Sequence, residues 1–199
     1  MKKIGIIISS LLLSTTLSAQ DHKHHEMPTS PSAAKISDKS VYNFEGKFTD
    51  QNSKSAILKD FSNKRVLITM AYTSCQFSCP IIIGKLKEIE KNLIKRKIND
   101  VQIVLVSFDL KRDTADKFQS YIKTKNITDK NWHFLRASSP EDIQEIAALL
   151  GVNYKAEPDG EFSHSNVISL LDKKGVIVHQ LVGMQSDTSD LFDKIKGIK

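Results

Sequence analysis

Two cysteines lie close together in the stretch YTSCQFSCP, residues 72–80. Cys75 and Cys79 are the only cysteines of the 199-residue chain, and three residues separate them ahead of Pro80. Thiols at such a spacing can form a disulfide, cycle as a dithiol redox couple, or hold a metal ion as thiolates. They can also be two unrelated buried thiols. Redox motifs usually have two intervening residues rather than three, so the spacing alone leaves these interpretations open.

A metal site at two thiolates needs at least one more ligand, and the chain has six histidines. His164 is the best candidate, because it immediately precedes a predicted hairpin whose loops should lie beside the cysteines. The others fall in a polar N-terminal segment or in predicted strands: His22, His24, His25, His133 and His179. Two thiolates and one imidazole form a soft ligand set that suits Cu(I), or Zn(II) with a fourth ligand.

The predicted elements place the cysteines between a strand and a helix. The stretches 65–73 and 101–110 are continuous apolar, β-branched runs, typical of strands buried on both faces. Apolar residues recur at intervals of three and four from residue 82 to 93, which indicates an amphipathic helix. Cys79, ahead of Pro80, is expected to be the N-cap of this helix. The helix dipole should then lower the pKa of its thiol, leaving at least one thiol ionised near neutral pH.

The remaining elements complete an alternating order of strands and helices. We predict short strands within 40–50 and 55–61, a helix capped by Thr114, a strand over 132–138, a helix from Ser139 to Gly151, a hairpin over 164–183 and a last helix from about Asp187. Right-handed crossovers then put the cysteines at the carboxyl end of a central strand, where binding sites gather in α/β sheets. The expected fold is α/β and thioredoxin-like, with a mixed sheet flanked by helices and a C-terminal hairpin.

The N-terminal stretch MKKIGIIISSLLLSTTLSAQ predicts export. Two lysines, a short apolar run and small residues form the pattern of a secretory signal peptide at 1–19. The run is shorter than the roughly 20 residues that span a bilayer, so cleavage is favoured over an anchor. Residues 20–40 predict a disordered linker, and 41–199 a single domain. In an oxidising compartment outside the cytoplasm, paired cysteines can form disulfides. Export also favours copper at a site of this kind.

Three motifs in order carry a resemblance that covers residues 41–197. They are AYTSCQFSCP at 71–80, VSFDLKRDT at 106–114 and FSHSNVISLLDKKG at 162–175. They are similar to the aromatic-Thr-x-Cys-x-x-x-Cys-Pro motif, the Asp-x-x-x-Asp-Thr segment and the histidine-bearing hairpin of the Sco/SenC copper chaperones of cytochrome oxidase assembly. Leu110 stands where the middle motif of this family often has proline.

The resemblance implies one copper ion per domain, bound by Cys75, Cys79 and His164. It also implies delivery of copper to, or reduction of thiols at, the dinuclear copper centre of a respiratory oxidase. Asp109 and Asp113 match acidic positions for which it implies a supporting role near the site. Taken alone, the first carboxylate predicts a strand-end turn and the second a partner for the following helix N-terminus.

The resulting hypothesis is a monomeric, non-catalytic copper chaperone of the bacterial envelope. A periplasmic thiol-disulfide reductase that uses Cys75 and Cys79 as its redox couple is the alternative, and His164 discriminates the two because a dithiol couple does not need it. A peroxide-reducing thiol enzyme would require an arginine near the cysteines in sequence, and none is there. The linker histidines and Met27 predict either a copper-capture arm or a polar tether.

The sequence also bears on two further kinds of partner, nucleic acid and the membrane. The formal net charge is +6, but the basic residues alternate with acids and form no clustered run with aromatic residues, so we expect no nucleic-acid partner. Many Sco/SenC relatives are anchored by a transmembrane helix, whereas this N-terminus predicts cleavage. Membrane attachment is therefore in doubt, with cleavage favoured and a retained anchor as the alternative.

Overall fold

The computed structural model describes residues 39–198, which form a seven-stranded mixed sheet, a two-stranded sheet and helices that flank the larger sheet. The predicted signal peptide and most of the linker, including His22, His24, His25 and Met27, lie outside the described residues. Their assignments remain predictions.

The strands alternate with helices along the chain as predicted. They are β1 (Phe48–Asp50), β2 (Ser55–Ala56), β3 (Arg65–Ala71), β4 (Val101–Ser107), β5 (Trp132–Ala137), β6 (Tyr154–Ala156), β7 (Phe162–His164), β8 (Val167–Leu171) and β9 (Ile177–Val182). The large sheet has the order β2-β1-β5-β4-β3-β8-β9, while β6 pairs with β7 separately. Strands β3, β4 and β5 are parallel. Strands β8 and β9 form the predicted hairpin, in which β8 pairs antiparallel with β3.

The central strand β3 leads directly to the cysteines. It lies between β4 and β8, with Thr69 opposite Leu105 on one side and Ile168 on the other. All of β4, and all of β3 except Arg65, is buried, as the continuous apolar runs predicted. The chain leaving β3 is therefore held by the best-packed part of the sheet.

The helices begin and end close to their predicted limits. They are α1 (Ser78–Lys95), α2 (Ala115–Thr124), α3 (Pro140–Leu150) and α4 (Ser189–Gly197). Thr114 and Ser139 accept N-cap hydrogen bonds from the helices that follow them, which confirms both caps. Gly151 ends α3 in the left-handed region at φ 66°, where a residue without Cβ is favoured.

Two details of the first strands and of the hairpin differ from prediction. Val41–Asn43 and Leu58–Phe61 are 3-10 helices, so the predicted strands shrink to β1 and β2. The hairpin begins at Val167 rather than at residue 164, because His164 belongs to β7 and pairs with Tyr154 of β6. Among the described residues, no helix has the length and apolar character that crossing a membrane requires.

Candidate metal centre

The two cysteines lie at the junction of β3 and α1. The chain leaves β3 at Ala71, and α1 begins at Ser78, so Cys75 lies in the connecting loop and Cys79 in the first turn of the helix. Cys75 is 7% exposed and Cys79 1% exposed. The N-cap of α1 is Phe77, and the prediction that Cys79 caps the helix is therefore wrong. Pro80 is the third helical residue, still in the first turn, where its missing N–H costs no hydrogen bond.

His164 reaches the cysteines from the other side of the site. It is the last residue of β7, and its Nε2 lies 3.7 Å from the Sγ of Cys79. The ligand atoms of Cys75, Cys79 and His164 all lie within 4.8 Å of one another. Three donors around one metal ion at about 2.3 Å would be about 4 Å apart, so the group fits a soft ion with small adjustments.

The other described histidines lie elsewhere. His133 lies in β5 and its Nε2 is 2.9 Å from Gln102 Oε1. His179 lies in β9, and its buried Nε2 has no hydrogen-bond partner within the part of the chain that the structure describes. Both therefore occupy the predicted strands. Within residues 39–198, the His, Cys, Asp and Glu side chains that converge closely enough to hold one metal ion are Cys75, Cys79 and His164.

The imidazole of His164 is oriented for metal binding. Its Nδ1 lies 3.2 Å from the carbonyl oxygen of Ser165, which can only accept, so the ring proton is on Nδ1. Burial lowers the pKa of His164, although the hydrogen bond to Ser165 acts in the opposite direction. The neutral ring is therefore favoured, and the lone pair of Nε2 faces the thiols.

The two thiols differ strongly in acidity. Burial acts to raise the pKa of Cys75, but hydrogen bonds to its sulfur outweigh burial and lower that pKa to about 7, and the strongest of these come from the backbone N–H groups of Cys79 and Phe77. Burial, together with the nearby Cys75 thiolate, raises the pKa of Cys79. The expectation that one thiol ionises near neutral pH thus holds for Cys75, which lies over the N-terminus of α1, and fails for Cys79.

Comparison with known proteins identifies the family. A family model described as SCO1/SenC matches residues 35–199. The chain belongs to the SCO1/SenC family.

Solved structures share the fold of this SCO1/SenC protein. A SCO1/SenC family lipoprotein from Bacillus anthracis is 24% identical with a TM-score of 0.71, over 76% of this chain and 91% of that one. Arabidopsis thaliana ScoI with copper bound is 25% identical with a TM-score of 0.65, over 76% and 96%. BsSco, described with a disulfide switch as a member of the Sco family of cytochrome c oxidase assembly proteins, is 23% identical with a TM-score of 0.69, over 82% and 97%. The predicted thioredoxin-like α/β fold is confirmed.

Asp113 holds the cysteine loop of this SCO1/SenC chain in place through hydrogen bonds. Its fully buried carboxylate accepts hydrogen bonds from the N–H of Thr73 at 3.1 Å, from the Thr73 hydroxyl, and from the Ser107 hydroxyl at 2.5 Å. Thr73 is two residues before Cys75, so this carboxylate ties the loop to the end of β4. A role as partner of the helix N-terminus is wrong for Asp113, because Thr114 caps α2 itself.

Asp109 turns the chain after β4, as its position at a strand end predicted. Its Oδ1 accepts from the backbone N–H groups of Lys111 at 3.2 Å and Arg112 at 3.1 Å, and its Oδ2 forms an ion pair with Arg112. Arg112 also donates to Glu161 Oε1 at 2.9 Å and to the Gly160 carbonyl oxygen at 2.7 Å. Arg112 therefore joins the middle motif to the loop between β6 and β7.

Tyr72 extends this link to the histidine. Its hydroxyl donates to Glu161 Oε2 at 2.8 Å and accepts from the Phe162 N–H at 3.3 Å, and its ring packs edge-on against the ring of His164, with 6.2 Å between ring centroids. Phe108 also packs against the imidazole, with 5.1 Å between ring centroids. Sequence reasoning assigned no contact to Arg112, Glu161 or Tyr72, because Glu161 lies 89 residues from Tyr72 and 49 residues from Arg112.

Proposed function

We propose that this SCO1/SenC protein is an exported, copper-binding metallochaperone that delivers copper to, or reduces thiols of, the dinuclear copper centre of a respiratory cytochrome oxidase. The observation that carries the proposal is the convergence of Cys75, Cys79 and His164, whose ligand atoms lie within 4.8 Å of one another, with both cysteines buried and the histidine half-buried. Copper is the cargo here. The copper-bound ScoI of Arabidopsis thaliana and the description of BsSco as an oxidase assembly protein support the assignment.

The three side chains suit Cu(I) for separate chemical reasons. Thiolate sulfur and neutral imidazole nitrogen are donors that a soft monovalent ion prefers. Cys75, with its pKa lowered to about 7, supplies a thiolate at neutral pH, and His164, whose ring proton is on Nδ1, supplies the lone pair of Nε2. Cys79 gives up its proton when the charge of the ion compensates for its burial. A receiving protein with its own thiolates or imidazoles can then take the ion by ligand exchange.

A thiol-disulfide reductase is the second candidate function. It is supported by the two sulfurs lying close together as free thiols and by the contrast in their acidity. A more acidic thiol followed by one that is more deeply buried is the arrangement of attacking and resolving cysteines, and Cys75 is 7% exposed against 1% for Cys79. The relative BsSco is described with a disulfide switch, which favours reversible pairing of Cys75 and Cys79 here.

Side-by-side variants separate these two functions. Copper stoichiometry and affinity, together with disulfide-reducing activity, are measured for wild type, His164→Ala, Cys75→Ser and the control His179→Ala. We expect His164→Ala to fold normally, to bind Cu(I) about tenfold more weakly or worse, and to keep any reductase activity. His179→Ala, altered in β9 away from the ligand group, should bind copper as wild type does. Normal copper binding by His164→Ala, with reductase activity abolished by Cys75→Ser, would instead establish the reductase.

We further propose that the protein acts as a monomer in the cell envelope after cleavage of residues 1–19. The signal-peptide pattern supports export, and the Bacillus anthracis relative is described as a lipoprotein. Intact-mass measurement of protein from fractionated cells tests the cleavage. Recovery of the uncleaved chain in the membrane fraction would overturn it.

A further inference from the structure

Ser78 places a hydroxyl group between two of the candidate ligands. Its Oγ lies 3.0 Å from Nε2 of His164 and 3.7 Å from Sγ of Cys75. Ser78 is the first residue of α1, but the N-cap is Phe77 and no side chain caps the helix. The Ser78 hydroxyl is therefore available to the site and is not used to start the helix.

The hydrogen bond between Ser78 and His164 has a defined direction. Because Nδ1 of His164 donates to the Ser165 carbonyl oxygen, the Nε2 of the neutral ring is an acceptor. The Ser78 O–H must then be the donor. A hydroxyl group has one hydrogen, so Ser78 cannot donate to the sulfur of Cys75 at the same time.

A metal ion bound by His164 uses the same lone pair of Nε2. Loading the site therefore breaks the Ser78–His164 hydrogen bond and releases the hydroxyl hydrogen. The sulfur of Cys75, a thiolate when it holds a metal ion, is the acceptor next to it. The Ser78 hydroxyl thus has one acceptor in each state of the site, which is His164 Nε2 without the metal ion and the Cys75 sulfur with it.

We propose that Ser78 is a positioning residue that exchanges partners during metal transfer: its hydroxyl holds the imidazole of His164 in the metal-free site and donates to the Cys75 thiolate in the loaded site. This inference rests on the proposed function, and it concerns how the ion enters and leaves the site. No covalent step is involved, since only the hydroxyl hydrogen changes its acceptor.

The exchange of partners predicts a kinetic signature. In the metal-free protein the hydrogen bond to Nε2 opposes an incoming ion, and in the loaded protein the hydrogen bond to the thiolate opposes its departure. Removing the hydroxyl should therefore accelerate both capture and release by about fivefold, the factor expected for one hydrogen bond of average strength. The equilibrium affinity, which is their ratio, should change much less than either rate.

The experiment measures Cu(I) capture and chelator-driven release by stopped flow for wild type, Ser78→Ala, Ser78→Thr and Ser74→Ala. Ser78→Thr restores a hydroxyl group at the same position. Ser74→Ala removes a hydroxyl from the same loop whose Oγ is buried without a hydrogen-bond partner among the described residues. We expect Ser78→Ala to be about fivefold faster in both directions, and the other two variants to match wild type.

Nitrogen NMR of the metal-free protein gives a second measurement that does not need copper. The His164 Nε2 resonance of Ser78→Ala should move toward the position of an imidazole nitrogen that accepts no hydrogen bond, while Ser74→Ala leaves it unchanged. An unchanged resonance, or Ser78→Ala rates equal to wild type, overturns the inference. Failure of wild type to bind Cu(I) would overturn the proposed function instead, and with it the loaded half of the exchange.

Discussion

The two sides of the candidate metal centre are built in different ways. Both cysteines belong to the junction of β3 and α1, whose surrounding strands are almost completely buried. The histidine belongs to the two-stranded sheet of β6 and β7, in which no residue is fully buried and which shares no strand pairing with the large sheet. The sulfur ligands are thus fixed by the core, whereas the imidazole is held by side-chain contacts.

Different contacts therefore fix the positions of the cysteine and histidine ligands. The cysteine loop is held by the buried carboxylate of Asp113, and the histidine strand by the contacts of Arg112, Glu161 and Tyr72. Damage to the first set should lower the stability of the whole domain. Damage to the second set should loosen one ligand and leave the domain folded, which is what the proposed transfer of copper to a partner would require.

Asp113→Ala should produce the largest loss of stability. The substitution removes the acceptor for Thr73 and Ser107 and leaves their buried donors unpaired, which should lower the free energy of unfolding by about 3 kcal/mol. Urea unfolding of the metal-free, reduced protein measures it. Glu145→Ala, in the exposed face of α3, is the control and should stay within about 0.5 kcal/mol of wild type. A loss equal to that of the control would show that the core alone fixes the cysteine loop.

The acidity of Cys75 gives the next largest effect. Its pKa is lowered from 9.0 to about 7 in the folded protein, so the alkylation rate of Cys75 in a Cys79→Ser variant should rise with pH around a midpoint of about 7. The folded state then binds fewer protons than the unfolded state between these values. The stability of the reduced protein should therefore increase as pH rises from about 7 toward 9, and this contribution is lost as pH falls through about 7.

A Cys75→Ser variant provides the comparison within the same loop. Its remaining thiol, Cys79, is 1% exposed and has a raised pKa, so alkylation near neutral pH should be far slower. Equal rates and equal midpoints for the two variants would contradict the assigned roles of the two thiols.

Sequence reasoning could predict the cysteine side of the centre because its signals are local. The apolar runs of β3 and β4, the periodicity of α1 and the spacing of the cysteines each lie within a short window. The cap of α1 was misplaced because the rule for residues before proline disfavours a helical Cys79, whereas the packed first turn tolerates it. Local preference was overridden there by tertiary structure.

The histidine side was harder to predict because its signals are not local. Strands β6 and β7 have three residues each and bury no residue fully, so they lack the alternation that marks a strand. His164 itself was found from its chemistry and its position before the hairpin. The contacts of Asp113 with Thr73 and of Arg112 with Glu161 span 40 and 49 residues, and no short pattern indicates them.

Arg112→Ala tests the histidine side of the metal centre. It should have the smallest effect on overall stability, lowering the free energy of unfolding by about 1 kcal/mol. Arg112 joins Asp109 to Glu161 and Gly160, so its loss should free the loop that leads into β7. Hydrogen exchange in residues 154–164 should become about fivefold faster, while exchange in α1 stays unchanged. Lys111→Ala, which alters the exposed neighbour, should affect neither segment. Equal acceleration in α1 and in residues 154–164 would mean that the two sides of the site open together, and the distinction between them would fail.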